Sequence, residues 1–488
     1  KGSVFAMYPP TLNTGATPMN TFSGTRANPI RVAIIGSGPS AFYTAEFLLS
    51  NPDAVVEVDM FERLPTPFGL VRGGVAPDHP KIKTVTRAFE RTAQHERFRF
   101  FGNVTFGHDL IYPDIAARYH AVVYAVGAQT DRQLGIPGED LPNSHAATEF
   151  VAWYNGHPDF RDLAFDLSQE RVAVIGNGNV AVDVARILAR TPDELRQTDI
   201  TDHALEALAG SRVREILVLG RRGPAQAKFT SAELKELGSL ADADVVINPA
   251  ELELDPLSAE YLRSGESKTA ARNYAILQGL SRAGQNGKRR RIVLRFLVSP
   301  VELLGSDRVE AVRVVKNEIC ERGHFMSPCP TEDYETIPVG LVFRSIGYHG
   351  VPLPGVPFDD QQGIIPNKRG RVINEHGERM RGEYAVGWIK RGPVGIIGSN
   401  KPDAQETVEM LLRDMAFHQH FCPANPAREA IDRLLRQRGI HYTTYEDWRV
   451  LDQLEIERGL AVGRPRRKFT RVEDMLSALE AVHHAPVL

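Results

Sequence analysis

Short apolar runs that end in glycine recur along this chain. Val32–Ile35 leads to Gly36, Val172–Ile175 to Gly176, the stretch from Tyr119 to Gly127, and Leu341 to Gly347. Runs of this kind, without polar alternation, predict strands buried on both faces, as in a parallel sheet. After the first, Ala41–Leu49 predicts a helix and Val55–Phe61 a second strand. After the second, a helix is again followed by an apolar strand, Glu215–Gly220. Two βαβ units are therefore expected, one over residues 31–62 and one opening at residue 171. A loop with several prolines, 64–80, precedes a predicted helix from Lys81 to Gln94. Arg291–Val298 and Glu310–Lys316 read as antiparallel strands. A helix is expected from about Asp403. The likeness of Leu341–Gly347 to the Tyr119–Gly127 run suggests a return of the chain from a second domain into the first.

The glycines after the two leading strands have a spacing with a physical meaning. Gly36-x-Gly38-x-x-Ala41 and Gly176-x-Gly178-x-x-Ala181 each offer a tight turn, a close approach for a pyrophosphate and a small residue where helix meets strand. The next strands end differently. Glu62 closes the first and can accept a hydrogen bond from a free ribose 2′-OH. Arg221 and Arg222 follow the second and suit a 2′-phosphate. The first site reads as FAD, with NAD as the rival, and the second as NADP(H). Solvated surface arginines are the plain alternative for Arg221 and Arg222. The turn from Gly387 through Trp388 to Gly395, Ile396, Ile397 and Gly398 fits either the edge of a flavin or an ordinary turn with a core tryptophan. His79 in the proline-rich loop and Glu236, one helical turn from Glu233, carry no chemistry when read singly.

At 488 residues the chain exceeds one core, and its 42% hydrophobic and 24% charged content is that of a globular protein. A net charge of −3 carries no global signal for nucleic acid. No apolar run is long enough to span a membrane. Three cysteines without a Cys-x-x-Cys pair speak against a metal or iron–sulfur site in the chain, so no metal is expected. They read as buried structural thiols in a reducing cytoplasm. Residues 1–30, rich in Thr, Asn, Pro and Gly, read as a disordered extension rather than a secretory signal. The basic cluster Lys288–Arg291, with Arg272 and Arg282, is a candidate docking surface for an acidic partner.

Taken with the loops Pro65-x-Pro67-Phe68-Gly69-Leu70-Val71-Arg72 and Gly74-Val75-Ala76-Pro77-Asp78-His79-Pro80, and with Gly387-Trp388-Ile389-Lys390-Arg391-Gly392-Pro393, these motifs resemble adrenodoxin reductase and its bacterial relatives, the actinobacterial ferredoxin–NADP reductases of the FprA type among them. The resemblance runs from about Arg31 to the C-terminus. It implies an α/β fold of two Rossmann-like, glutathione-reductase-type domains. The NADP domain, 136–349, would be inserted in a discontinuous FAD domain, 31–135 with 350–488. It implies hydride transfer between NADPH and FAD, then single-electron transfer to a ferredoxin, an iron–sulfur protein. By motif position Gly36, Gly38, Ser40, Ala41, Glu62, Leu70, Gly73 and Phe106 would contact FAD. Trp388, Gly395, Ile396 and Ile397 would meet the flavin ring. Arg132, Asn177, Gly178, Asn179, Val180, Arg221, Arg222 and Glu233 would contact NADP(H), and His79 with Glu236 match a pair near the flavin. A flavin-dependent monooxygenase or quinone reductase, and a non-enzymatic NADPH-sensing flavoprotein, share both glycine motifs and are the alternatives.

Overall fold

The computed structural model describes residues 24–323 and 325–484. Two sheets dominate. The first is ordered Asn367–Lys368, Arg371–Ile373, Arg379–Ala385, Ala121–Tyr124, Ile30–Ile35, Val56–Phe61, Phe98–Phe101, its last five strands parallel. The central strand Ile30–Ile35 is buried throughout. Val32 and Ile34 face one core with Phe42, Leu48 and Leu451, while Ala33 and Ile35 face another with Tyr119, Tyr124 and Leu435. A core on each side is why that strand is apolar without alternation.

The second sheet is wholly parallel, in the order Ser144–Ala146, Leu341–Arg344, Arg171–Ile175, Glu215–Leu219, Arg290–Arg295, Ala243–Ile247. The mixed α/β architecture, with one mostly and one wholly parallel sheet, is the two-domain dinucleotide-binding fold expected. Three expectations of detail need correction. Arg290–Arg295 is parallel, not antiparallel: the helix Lys268–Ala283 carries the chain back across the sheet, so this strand enters between two others in the same sense. The apolar run that it opens turns a corner at Leu297, whose φ is +55°, and continues as Val298–Leu304 in a separate antiparallel sheet with Ala311–Arg322 and Phe325–Pro338. Leu341–Arg344 stays in the second sheet beside Arg171–Ile175, as Ala121–Tyr124 lies beside Ile30–Ile35. The return comes next, where Tyr348–His349 pairs antiparallel with Thr130–Asp131.

Cys320 and Cys329 are not free thiols but form a disulfide across the hairpin of the small sheet, and Cys422 is exposed. Antiparallel pairing brings the two sulfurs together without any Cys-x-x-Cys spacing, and the argument for a reducing compartment from buried thiols falls away. Of the expected extension, residues 1–23 lie outside the described residues. Gly24 to Asn28 form a hydrogen-bonded turn tied to Val55, so order begins before residue 31. Among the described residues no helix is long and apolar enough to cross a membrane.

A C-terminal strap joins the two halves. Lys468 Nζ lies 3.2 Å from Asp199 and Arg471 2.6 Å from Asp162, while Arg464 and Arg467 both reach Asp202 at 2.5 Å. Lys83, from the first half, meets Asp199 at 2.7 Å. Burial pulls Lys468 down to about 7 against the attraction of Asp199.

Candidate active site

The two glycine turns are built alike. Gly36 N donates to Phe61 O at 2.7 Å and Gly176 N to Leu219 O at 2.8 Å. Both first glycines have positive φ, +101° and +135°. A Cβ on Gly36 would stand 2.6 Å from Ala125 O, and one on Gly176 2.1 Å from Ser345 O. Each is therefore pinned against the end of the neighbouring strand, and this is the structural meaning of the repeated apolar-then-turn pattern. A Cβ on Gly38 or Gly178 would meet nothing within 4 Å. Those positions are open for a ligand rather than crowded by protein. The helices Pro39–Leu49 and Asn179–Ala189 start at these glycines without a side-chain cap, which leaves backbone N–H groups for an anion.

At the strand ends the two sites part. In the first, Glu62 accepts from Ser37 Oγ at 2.7 Å and from Leu64 N at 3.1 Å. In the second, Gly220 stands at the corresponding place after the strand, and a Cβ there would fall 2.7 Å from Asn177 Nδ2. That amide nitrogen is buried with no hydrogen-bond partner. Arg221 is exposed and Arg222 half-buried, and neither has a carboxylate within 4.0 Å among the described residues. Burial, then the charge of Arg221, lowers the Arg222 pKa. Two mutually repelling guanidiniums and an orphaned amide donor form a site short of an anion. Asn179 is tied down, its Oδ1 accepting from Thr230 N at 2.8 Å, and Val180 packs partly buried against the core.

Between the two turns, residues far apart in sequence converge. His79 Nε2 and Glu236 Oε2 are 2.7 Å apart, and His79 Nδ1 is 3.6 Å from Glu233. Glu233 also accepts from Arg186 at 2.7 Å. Arg186, 0% exposed, holds Asp78 and Asp183 as well, and Arg190 adds a second contact to Asp78. Burial pushes the Asp78 carboxyl up, but the hydrogen bonds and charges of Arg186 and Arg190 outweigh it and hold it at about 2. Burial pushes Asp183 up to about 7, opposed by Arg186 and aided by Glu233. His79, Asp183 and Glu233 could together hold a cation by distance alone, but Arg186 already supplies the positive charge.

Trp388 packs against Tyr348 with ring centroids 5.2 Å apart and planes tilted by 45°, and its Nε1–H is buried without a partner among the described residues. A Cβ on Gly387 would touch Ser40 Oγ at 2.5 Å, so the start of the first helix and the tryptophan turn meet. Beyond them Val394 is 70% and Ile396 65% exposed, beside Gly395 and Ile397. A cavity of about 430 Å³ lies between this turn and Arg132, whose Nη2 is 3.5 Å from Gln362 O. Leu70 and Gly73 bound a short helix that follows Phe68, itself anchored by donating to Ser37 O at 3.0 Å. Phe106 is buried against Tyr124, and Ala41 is fully buried under the first turn.

The structure also takes apart the basic docking cluster. Arg290 is buried and donates to Val213 O and Ala189 O, Arg289 pairs with Asp242, Arg291 with Glu215, and Lys288 Nζ donates to Leu240 O. These charges are spent inside the fold, at the start of an interior strand. Arg272 and Arg282 remain exposed on their helix. Reading for motifs missed Arg186, although a lone arginine in the apolar stretch Val180–Ala189 was the visible signal. It also missed Arg391 and Asp403, which no spacing marks.

A family model described as pyridine nucleotide-disulphide oxidoreductase matches residues 30–218. The chain is 48% identical over 457 residues to the NADPH-ferredoxin reductase FprA of Mycobacterium tuberculosis, covering 92% of this chain and 98% of that one. It is 39% identical over 471 residues to the mitochondrial NADPH:adrenodoxin oxidoreductase of Arabidopsis thaliana, covering 94% and 97%. The solved structure of M. tuberculosis FprA in complex with NADPH matches with a TM-score of 0.86 at 47% identity, over 93% of this chain and all of that one. With the turns, the convergent cluster and these likenesses together, the chain belongs to the adrenodoxin reductase-like NADPH–ferredoxin reductases of the FprA type.

Proposed function

We propose that this protein is a ferredoxin–NADP(+) oxidoreductase with FAD in the first turn, over residues 31–135 and 350–488, and NADP(H) in the second, over 136–349. The observation that carries this reading is one scaffold built twice with opposite hydrogen-bond polarity at the strand end: an acceptor, Glu62, in the first, and donors, Asn177 Nδ2, Arg221 and Arg222, in the second. The residues present fit both groups. Gly38 and Gly178 leave room for a pyrophosphate, and Trp388 Nε1 and Asn177 Nδ2 are buried donors awaiting acceptors. Bound together, the two cofactors supply hydride exchange between nicotinamide and flavin and single electrons for an iron–sulfur protein.

The chain's own residues bind and align. Gly36, Gly38, Ser40 and Ala41 present the first helix end to the pyrophosphate, Glu62 holds the adenosine ribose, and Leu70, Gly73 and Phe106 wall the site. Asn177 to Val180 do the same for the second pyrophosphate, Arg221 and Arg222 read the 2′-phosphate, and Arg132 and Glu233 contact other parts of NADP(H). Trp388 and Gly395 to Ile397 cover the ring. His79 Nε2 and Glu236 Oε2 are hydrogen-bonded at the domain boundary. Arg272 and Arg282 are the exposed cations left to meet an acidic ferredoxin.

The test uses purified protein. It should be yellow, release FAD on denaturation, be reduced by NADPH, and pass electrons to cytochrome c only when a ferredoxin is added. FMN in place of FAD defeats the first assignment. Rapid quinone turnover with no response to any ferredoxin would favour the quinone reductase alternative.

A further inference from the structure

We propose that Arg391 is a positioning residue that fixes the peptide between Val394 and Gly395, so that the Gly395 N–H faces the negative edge of the flavin. The inference rests on the reading of this turn as part of an FAD site. Arg391 ends the short helix Trp388–Arg391 and folds back over the turn that follows. Its Nη1 donates to Val394 O, and its Nη2 donates to Asn400 Oδ1 at 2.9 Å and Ser399 Oγ at 3.3 Å. Ser399 in turn donates from Oγ to Ile396 O at 2.6 Å, and Asn400 Nδ2 donates to Ile397 O at 3.1 Å. The carbonyls of Val394, Ile396 and Ile397 are thus drawn inward.

A trans peptide points its C=O and its N–H in opposite directions. Holding Val394 O inward therefore turns the Gly395 N–H outward. Neither Gly395 N–H nor Ile396 N–H has an acceptor among the described residues. The turn needs such a lock because Gly395, with φ +90°, forms one side of the peptide and lowers the cost of flipping it. The lock is itself anchored. Asp403 Oδ1 lies 3.8 Å from Arg391 Nε and 2.9 Å from Lys390 Nζ, and Asp403 Oδ2 accepts from Gly387 N at 2.6 Å. The arginine's reach to three separate acceptors, not its charge alone, does the orienting.

Reduction gathers negative charge on the pyrimidine edge of a flavin, so an N–H aimed there favours the reduced form. The experiment is a redox titration of the FAD-loaded wild type, Arg391→Met and Arg391→Lys, followed by absorbance. Both variants should bind reduced over oxidised FAD about tenfold less favourably, a fall of about 30 mV in the two-electron midpoint. The KM for NADPH should stay near wild type. Arg391→Lys keeps the charge and the fold but cannot span the three acceptors. A wild-type midpoint in Arg391→Lys means charge suffices and overturns the proposal, as does an unchanged midpoint in both variants. A wild type that carries no FAD overturns the underlying reading and this inference with it, whereas FAD present with unmoved potentials overturns the inference alone.

Discussion

The two glycine turns share nearly everything except what stands after the second strand of each unit. In both, the middle residue of the turn has its carbonyl capped by a later loop, Ser37 O by Phe68 N at 3.0 Å and Asn177 O by Lys228 N at 3.1 Å. Glu62 and Gly220 then occupy equivalent places. The first turn is satisfied within itself, with Ser37 Oγ donating to the carboxylate. Among the described residues, the second leaves Asn177 Nδ2 without a partner and the guanidiniums of Arg221 and Arg222 without a carboxylate within 4.0 Å. The scaffold thus recognises what the two ligands have in common, a pyrophosphate, and one strand-end residue with its neighbours recognises what differs.

The hardest way to break the comparison is to fill the shared feature. Gly36→Ala brings a Cβ to 2.6 Å from Ala125 O and Gly176→Ala to 2.1 Å from Ser345 O. The first should yield a colourless protein. The second should stay yellow yet lose NADPH reduction by more than about 100-fold, since neither backbone carbonyl can retreat. Absorbance and rapid mixing with NADPH separate the two results, and a yellow Gly36→Ala protein would contradict the assignment.

Next comes the difference itself. Arg221→Ala with Arg222→Ala removes two charge-assisted contacts at about 1.5 kcal/mol each. The KM for NADPH should rise about 100-fold and that for NADH little. Steady-state assays with both coenzymes decide, and equal changes would show that the arginines do not read the phosphate.

A smaller effect tests the ion cluster that joins the two sites. Asp78 is held at about 2 in the folded chain, below the roughly 3.9 of an unfolded aspartate. A depressed carboxylate contributes stability above its unfolded pKa and loses it as pH falls through the folded one. About 2 kcal/mol should therefore disappear between roughly pH 4 and pH 2. Urea unfolding of wild type and Asp78→Asn along that range should show the steeper slope in the former, since Asp59, Asp199 and Glu455 are lowered in both. The smallest expected change is a few-fold drop in ferredoxin-dependent cytochrome reduction for Arg272→Glu with Arg282→Glu, with ferricyanide activity kept. The same reversal at Arg291 should instead weaken folding through Glu215.

Much of the parallel framework was legible because a strand buried on both faces writes itself as an unbroken apolar run, as in Val32–Ile35 and Val172–Ile175. Gly36 and Gly176 were legible because a strand–turn–helix junction writes its glycines at a fixed short spacing, and Glu62 because it closes the next strand. Strand direction was not: Arg290–Arg295 has the same composition in either sense, and only the crossover helix fixes it. Nor was the fate of Lys288–Arg291, since local charge density does not say that Asp242 and Glu215 lie opposite. His79 and Glu236, 157 positions apart, meet only once both halves are folded.

The placement of Arg379–Ala385 beside Ala121–Tyr124 has a consequence for how the chain is made. The second sheet draws all its strands from Ser144 to Arg344, so it can close as one block while synthesis continues. The first sheet begins earlier but finishes later. Its strand Ala121–Tyr124 leaves the ribosome with an open edge and waits for a partner through the whole of the inserted half. At ~5–20 residues per second that exposure lasts tens of seconds. The half that starts first is therefore the last to be sealed, and the strap from Arg464 to Arg471 ties the halves together only after the strands of both sheets have been made.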